Sequence, residues 1–166
     1  DLGLSLTLGE MPQKTFHSTR LPKERVPLVL PEKLSVREAL RKIFLLPSVG
    51  SKGFLVHKAD RSVGGLVVQQ QCCGPLQLPV ADAGVVAQSY FGLTGGATSI
   101  GEQPIKILVD IRAGARMAVG EAVTNLAGVR ISDLKDVKCS VNWMWAAKLH
   151  GEGADIYDAA RALAEL

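Results

Sequence analysis

The stretch GPLQLPVADAGVVAQSY, residues 74–90, decides how the middle of the chain folds. Its valines and small residues, bounded by Gly and Pro, read as a strand over 80–90. Asp82 stands inside that run. It is the only charged residue among the forty between Arg61 and Glu102. An ionised carboxylate among apolar groups is costly unless something pairs with it. The function of Asp82 is therefore the first question the sequence raises.

Reading outward, GFLVHKA (53–59), GGLVVQQQ (64–71) and ATSIGE (97–102) have strand character. Asp60 and Arg61 mark a hairpin turn between the first two. DIRAGARMAVGEAVTNLAGV (110–129) reads as a helix, with Asp110 as N-cap and Gly128 as its stop. In LSVREALRKIFLL, Ser35 and Glu38 form a capping-box pattern. Val36, Leu40, Ile43, Phe44 and Leu46 make a helical apolar stripe there, and Pro47 ends it. DVKCSVNWMWAAKL holds another strand, and GADIYDAARALAEL is a closing amphipathic helix. Strands alternating with helices predict an α/β or α+β fold. Residues 1–31 are rich in Pro and Thr without a long period. They read as a linker or extended arm, with short strands at Leu4–Leu8 and Val26–Leu30, ahead of a domain over 32–166.

Composition narrows the function classes. At 166 residues the chain is sized for one domain. Apolar residues make up 47% but aromatics only 5%, so Val, Leu, Ile and Ala must fill the core. The net charge of +3 is too small to argue for nucleic acid. Residues 1–61 carry eleven Lys/Arg against six Asp/Glu, and the rest eight against ten, so the basic excess lies early. Its bland reading is a solvated segment and helix face. Cys72, Cys73 and Cys139 form neither metal-ligand spacing nor an even disulfide framework, which favours a reducing compartment. No apolar run is long enough to span a membrane. A first residue other than Met and an ending in a helical pattern suggest a piece of a longer polypeptide.

On the long helix, Glu121 and Asn125 are four apart and share a face with small neighbours. Two oxygen-bearing side chains there, plus the strand carboxylate Asp82, make a partial Mg²⁺ site. Such sites take one or two protein carboxylates and leave waters and phosphates to complete the shell. The alternative is a solvated Glu121, a helix-end hydrogen-bonder Asn125 and a turn residue Asp82. Spacing alone leaves both readings open. The adjacent cysteines lack a supporting His motif and read as small hydrophobes. GLTGGATSIGE matches no phosphate-binding fingerprint and reads as a flexible turn. Trp143 and Trp145 read as core or interface anchors.

Three segments carry a family likeness. DRSVGGLVVQQQCCGPLQLPVAD, AVGEAVTNL and VKCSVNWMWAAKLHGEGADIYDA, in that order and spacing, resemble the formylglycinamide ribonucleotide amidotransferases, also called phosphoribosylformylglycinamidine synthases. The resemblance runs from about Pro31 to the end. It implies the ATP-binding half of the second of two repeats similar to aminoimidazole ribonucleotide synthetase. That half is a mixed four-stranded sheet backed by helices, and paired halves share a barrel. It further implies an auxiliary, structural Mg²⁺–ADP or Mg²⁺–ATP site with Asp82, Glu121 and Asn125 as metal ligands. Ala81 and Lys52 match nucleotide contacts. The family's last Mg²⁺ ligand, an Asp, falls beyond Leu166, so the isolated chain is expected to bind nucleotide poorly and to be inactive.

The implied setting is cytoplasmic. The implied partners are the other domains of one polypeptide, including the first repeat and a glutaminase domain. A self-associating interaction module with no nucleotide function is the competing reading, a homodimer being the simplest cover for an exposed sheet. Selenophosphate or thiamine-phosphate kinase relatives carry a Gly- and Asp-rich phosphate segment that is missing here.

Overall fold

A computed structural model describes residue 9 and residues 15–24, 26–57 and 65–166. The elements in order are α1 (Val36–Phe44), α2 (Gly53–Val56), β1 (Val67–Gln69), β2 (Cys72–Cys73), β3 (Leu78–Pro79), β4 (Ala83–Ala87), β5 (Gly95–Ser99), α3 (Lys106–Val109), α4 (Ile111–Asn125) and α5 (Glu152–Ala164), with a 3₁₀ turn at Leu134–Asp136 before α5. This is a mixed α/β arrangement.

The main sheet is antiparallel in the order β1-β4-β5, and β2 pairs with β3 as a separate ribbon. The described residues thus give this sheet three strands where four were expected. Along β4, Ala83, Val85 and Ala87 are more buried than Gly84 and Val86. That is the period of two expected of a strand covered on one face. Ala83 pairs with Ser99 and Val85 with Ala97, so the covered face continues across β5. Helix α4 lies behind it, and the Ser99 hydroxyl donates to the Ala122 carbonyl over 2.6 Å.

Asp110 caps α4, its side chain accepting from the Ala113 N–H at 2.9 Å. The helix ends at Asn125 with Leu126 as cap, so Gly128 lies past the end and does not adopt the left-handed conformation. Thr124 turns its hydroxyl back onto the Gly120 and Glu121 carbonyls, each at 2.9 Å. Helix α5 packs on α4, and its buried residues Asp155, Ala159 and Ala162 fall on one helical face.

The core is made of small side chains. Among the described residues the buried apolar ones are Cys72, Ala83, Ala115, Ala159 and Ala162. Of the expected Val, Leu, Ile and Ala, only Ala is buried among the described residues. Val36, Leu40, Ile43, Phe44 and Leu46 do form a stripe on α1, but it is exposed. Ser35 caps that helix, whereas Glu38 pairs with Lys42 at 3.1 Å instead of closing a capping box.

Other local expectations change as well. GFLV forms one helical turn and not a strand. The His57 ring contacts the Gly53 carbonyl at 2.6 Å and the Gln77 carbonyl at 2.8 Å, which secures that turn. A short apolar run carries no period that separates the two outcomes. Residues 137–146 hold no strand, and no described strand pairs with them. Val26–Leu30 is exposed and unpaired with any strand. Leu4–Leu8, Asp60 and Arg61 lie outside the described residues.

Part of the arm is docked. The Ala154 N–H donates to the Ser18 hydroxyl at 3.0 Å. Arg20 bridges to Asp158 at 2.5 Å, with Arg112 on the same oxygen at 3.5 Å, and Lys23 pairs with the buried Asp155. Gly151 begins α5 at φ +85°, and a Cβ on it would come within 2.8 Å of Leu21. The left-handed conformation is what favours glycine, since the end of the Leu21 side chain can turn aside. No helix among the described residues is long and apolar enough to cross a membrane.

Candidate functional site

The last turn of α4 presents Glu121 and Asn125 on one face, and the chain leaving β5 runs along it. Asn125 Nδ2 donates to the Ile100 carbonyl at 2.8 Å. The Glu102 N–H donates to Glu121 Oε2 at 3.0 Å, and Gln103 Nε2 donates to the same oxygen at 2.7 Å. Gly101 permits this approach: a Cβ there would lie 2.0 Å from the Ala118 carbonyl oxygen and 2.6 Å from the Ala122 nitrogen. The segment GLTGGATSIGE is therefore a strand followed by a tightly seated connection, not a flexible turn.

Asp82 enters through strand register. Ala83 is paired with Ser99, so Asp82 stands one step beyond the ladder, level with Ile100. That is the residue whose carbonyl receives Asn125. Asp82 is exposed. Water solvates its carboxylate, so the burial cost suggested by its uncharged sequence neighbours does not arise. Among the described residues it makes no hydrogen bond or ion pair.

Ala81 is half-buried and donates its N–H to the Gln71 carbonyl at 3.1 Å. Lys52 stands apart from these contacts. It caps α2, which packs on β3, and its ammonium donates to the Gly50 carbonyl. The structure thus brings Glu121 and Asn125 together, sets Asp82 and Ala81 at the adjoining strand end, and leaves Lys52 outside this hydrogen-bonded group.

The donor chemistry suits a hard cation. Glu121 Oε1 and Asn125 Oδ1 are unengaged among the described residues, and Asp82 has two available oxygens. All are oxygen ligands of the kind Mg²⁺ prefers. Their place at the C-terminal end of α4 adds the negative end of the helix dipole. Among the described residues no three His, Cys, Asp or Glu side chains form a metal cluster. A cation here would rest on two carboxylates and one amide oxygen. Cys72 is buried and Cys139 exposed, both as free thiols.

Sequence reasoning missed Gln103 and Gly101. The triplet GEQ directly after a strand carried a signal only in its glycine.

A family model described as FGAR-AT PurM_N-like domain matches residues 51–166. Human phosphoribosylformylglycinamidine synthase is 56% identical over 163 residues, which is 98% of this chain and 12% of that protein. A probable phosphoribosylformylglycinamidine synthase of Arabidopsis thaliana, designated chloroplastic/mitochondrial, is 54% identical over 99% of this chain and 12% of its own length. The Drosophila melanogaster phosphoribosylformylglycinamidine synthase is 52% identical over the full 166 residues, again 12% of that protein. The chain therefore spans about 12% of the length of these curated relatives. The likeness extends over the docked arm as well as the sheet and helices, and the chain belongs to the FGAR-AT PurM_N-like domain family.

Proposed function

We propose that this chain serves as the nucleotide-binding half of the second synthetase-like repeat in a phosphoribosylformylglycinamidine synthase. The full enzyme would be an ATP- and glutamine-dependent ligase of purine biosynthesis. It would convert formylglycinamide ribonucleotide to formylglycinamidine ribonucleotide. The role of this part is auxiliary: no residue in it is assigned to the reacting atoms.

One observation supports the reading most directly. The last turn of α4, gripped by the connection from β5, offers a carboxylate oxygen and an amide oxygen beside the strand end that carries Asp82. Asp82, Glu121 and Asn125 would hold the Mg²⁺ of Mg²⁺–ADP or Mg²⁺–ATP, with Ala81 and Lys52 toward the nucleotide. That cation would offset the negative charge of the carboxylates and the phosphates. The protein's own part is to fix the two α4 side chains, through Ile100, Glu102 and Gln103, before anything binds. The exposed sides of Val68 and Val86 on the sheet fit burial against a matching sheet in a shared barrel. The other domains of the same polypeptide, including the first repeat and a glutaminase domain, would supply that cover. A cytoplasmic setting belongs to the same reading.

The test is calorimetric titration of the full-length polypeptide with ADP in excess Mg²⁺. The wild type is expected to bind with one more site per chain than Asp82→Asn or Glu121→Gln. Equal stoichiometry and affinity in all three would overturn the nucleotide assignment. The exposed apolar surface also favours a second reading, a self-pairing module without nucleotide. Equal titrations together with a stable homodimer of the full-length protein formed through this sheet would favour it.

A further inference from the structure

The carboxylate of Glu121 is held asymmetrically. Both of its donors, the Glu102 N–H at 3.0 Å and the Gln103 side-chain amide at 2.7 Å, converge on Oε2. Oε1 receives no donor among the described residues. The shorter bond comes from a side chain whose backbone is itself fixed, because the Gln103 carbonyl accepts the Ile107 N–H at 3.0 Å near the start of α3. Gly101 seats the same segment directly on α4. The amide therefore approaches Glu121 from a rigid base, and the carboxylate has little freedom to turn.

Cations differ in what they ask of a carboxylate. Ca²⁺ takes six to eight oxygens and accepts a carboxylate through both of them, whereas Mg²⁺ holds an octahedral shell with few protein ligands. A carboxylate with one oxygen engaged by two N–H donors offers a single contact. We infer that Gln103 is a positioning residue that selects the cation: it confines Glu121 to contact through Oε1 and so favours Mg²⁺ over Ca²⁺. The inference rests on the metal-site reading above.

The experiment uses the full-length polypeptide with ADP present, titrated separately with Mg²⁺ and Ca²⁺. Wild type, Gln103→Met, Gln103→Lys and Glu121→Gln are compared, and melting temperatures are recorded without cation. Methionine fills similar space without an N–H donor; lysine still donates to a carboxylate. Gln103→Met is expected to weaken Mg²⁺ binding by about tenfold, the lower end of the affinity losses seen when a partner of a metal ligand is removed, and to weaken Ca²⁺ binding less, so that the Mg²⁺ preference falls. Gln103→Lys is expected to restore it. A purely structural role for Gln103 would change the melting temperature and leave the ratio unmoved. If Glu121→Gln weakens Mg²⁺ binding while Gln103→Met leaves the Mg²⁺/Ca²⁺ ratio at the wild-type value, the inference is overturned and the site stands. If Glu121→Gln and wild type bind both cations alike, the site reading falls and takes the inference with it.

Discussion

Gly101 shows how much a single missing side chain can organise. Its Cα region lies against the α4 backbone, where an added methyl would meet the Ala118 oxygen at 2.0 Å. Neither partner is the end of a flexible side chain, so Gly101→Ala must push the connection off the helix. Overpacking of this kind costs roughly 1–3 kcal/mol. The expected result is a lower urea midpoint, together with weaker Mg²⁺ binding in the full-length protein as Glu102 and Gln103 move away from Glu121. An unchanged midpoint would contradict the close seating. At this scale the sequence was informative where chemistry stands out against its neighbours. Asp82 is conspicuous because the residues around it carry no charge, and Glu121 and Asn125 because four residues make one helical turn. Gln103 is invisible by either criterion. Its partner lies 18 residues away, across a loop-to-helix contact that leaves no periodic trace.

Among the elements, the segment Ser18–Lys23 departs furthest from expectation. Its Pro-rich, aperiodic composition reads as linker, yet it crosses the beginning of α5 with one hydroxyl and two cations. Arg20 and Lys23 are more than half exposed, with side-chain accessibilities of 61% and 51%. Each bridge is therefore worth about 1 kcal/mol or less. The double substitution Arg20→Ala with Lys23→Ala is expected to destabilise the chain at low salt by about 1–2 kcal/mol. The effect should shrink as salt screens the exposed partners. Chemical denaturation at two ionic strengths measures this, and an effect that grows with salt would refute the ion-pair account. Asp155→Ala should cost more than Lys23→Ala, because Asp155 is buried whereas Lys23 is half exposed. Sequence pattern identified α1, α4 and α5 because capping residues and helical spacing are local. It misassigned GFLV and residues 137–146 because strand formation depends on a partner, which no local pattern specifies.

For the whole molecule, the decisive quantity is surface. The chain exposes 14337 Å², against about 7,900 Å² expected for a folded monomer of its mass. Phe91 and Leu93, at the tip between β4 and β5, are fully exposed. An apolar content of 47% promised a large core, but composition says nothing about whether the opposing surface belongs to the same stretch of chain. Produced alone, residues 1–166 are expected to associate in a concentration-dependent manner and to bind a hydrophobic dye. Sedimentation as a single monomer at all concentrations would argue against this. The contacts of the arm with α5 have a further consequence for biosynthesis. Ser18 and Ala154 are 136 positions apart, and Arg20 and Asp158 are 138 apart. At ribosomal speeds of roughly 5–20 residues per second, the early partner waits on the order of ten seconds for the late one. The arm segment is thus made well before its partner, and these contacts close only once α5 has been synthesised.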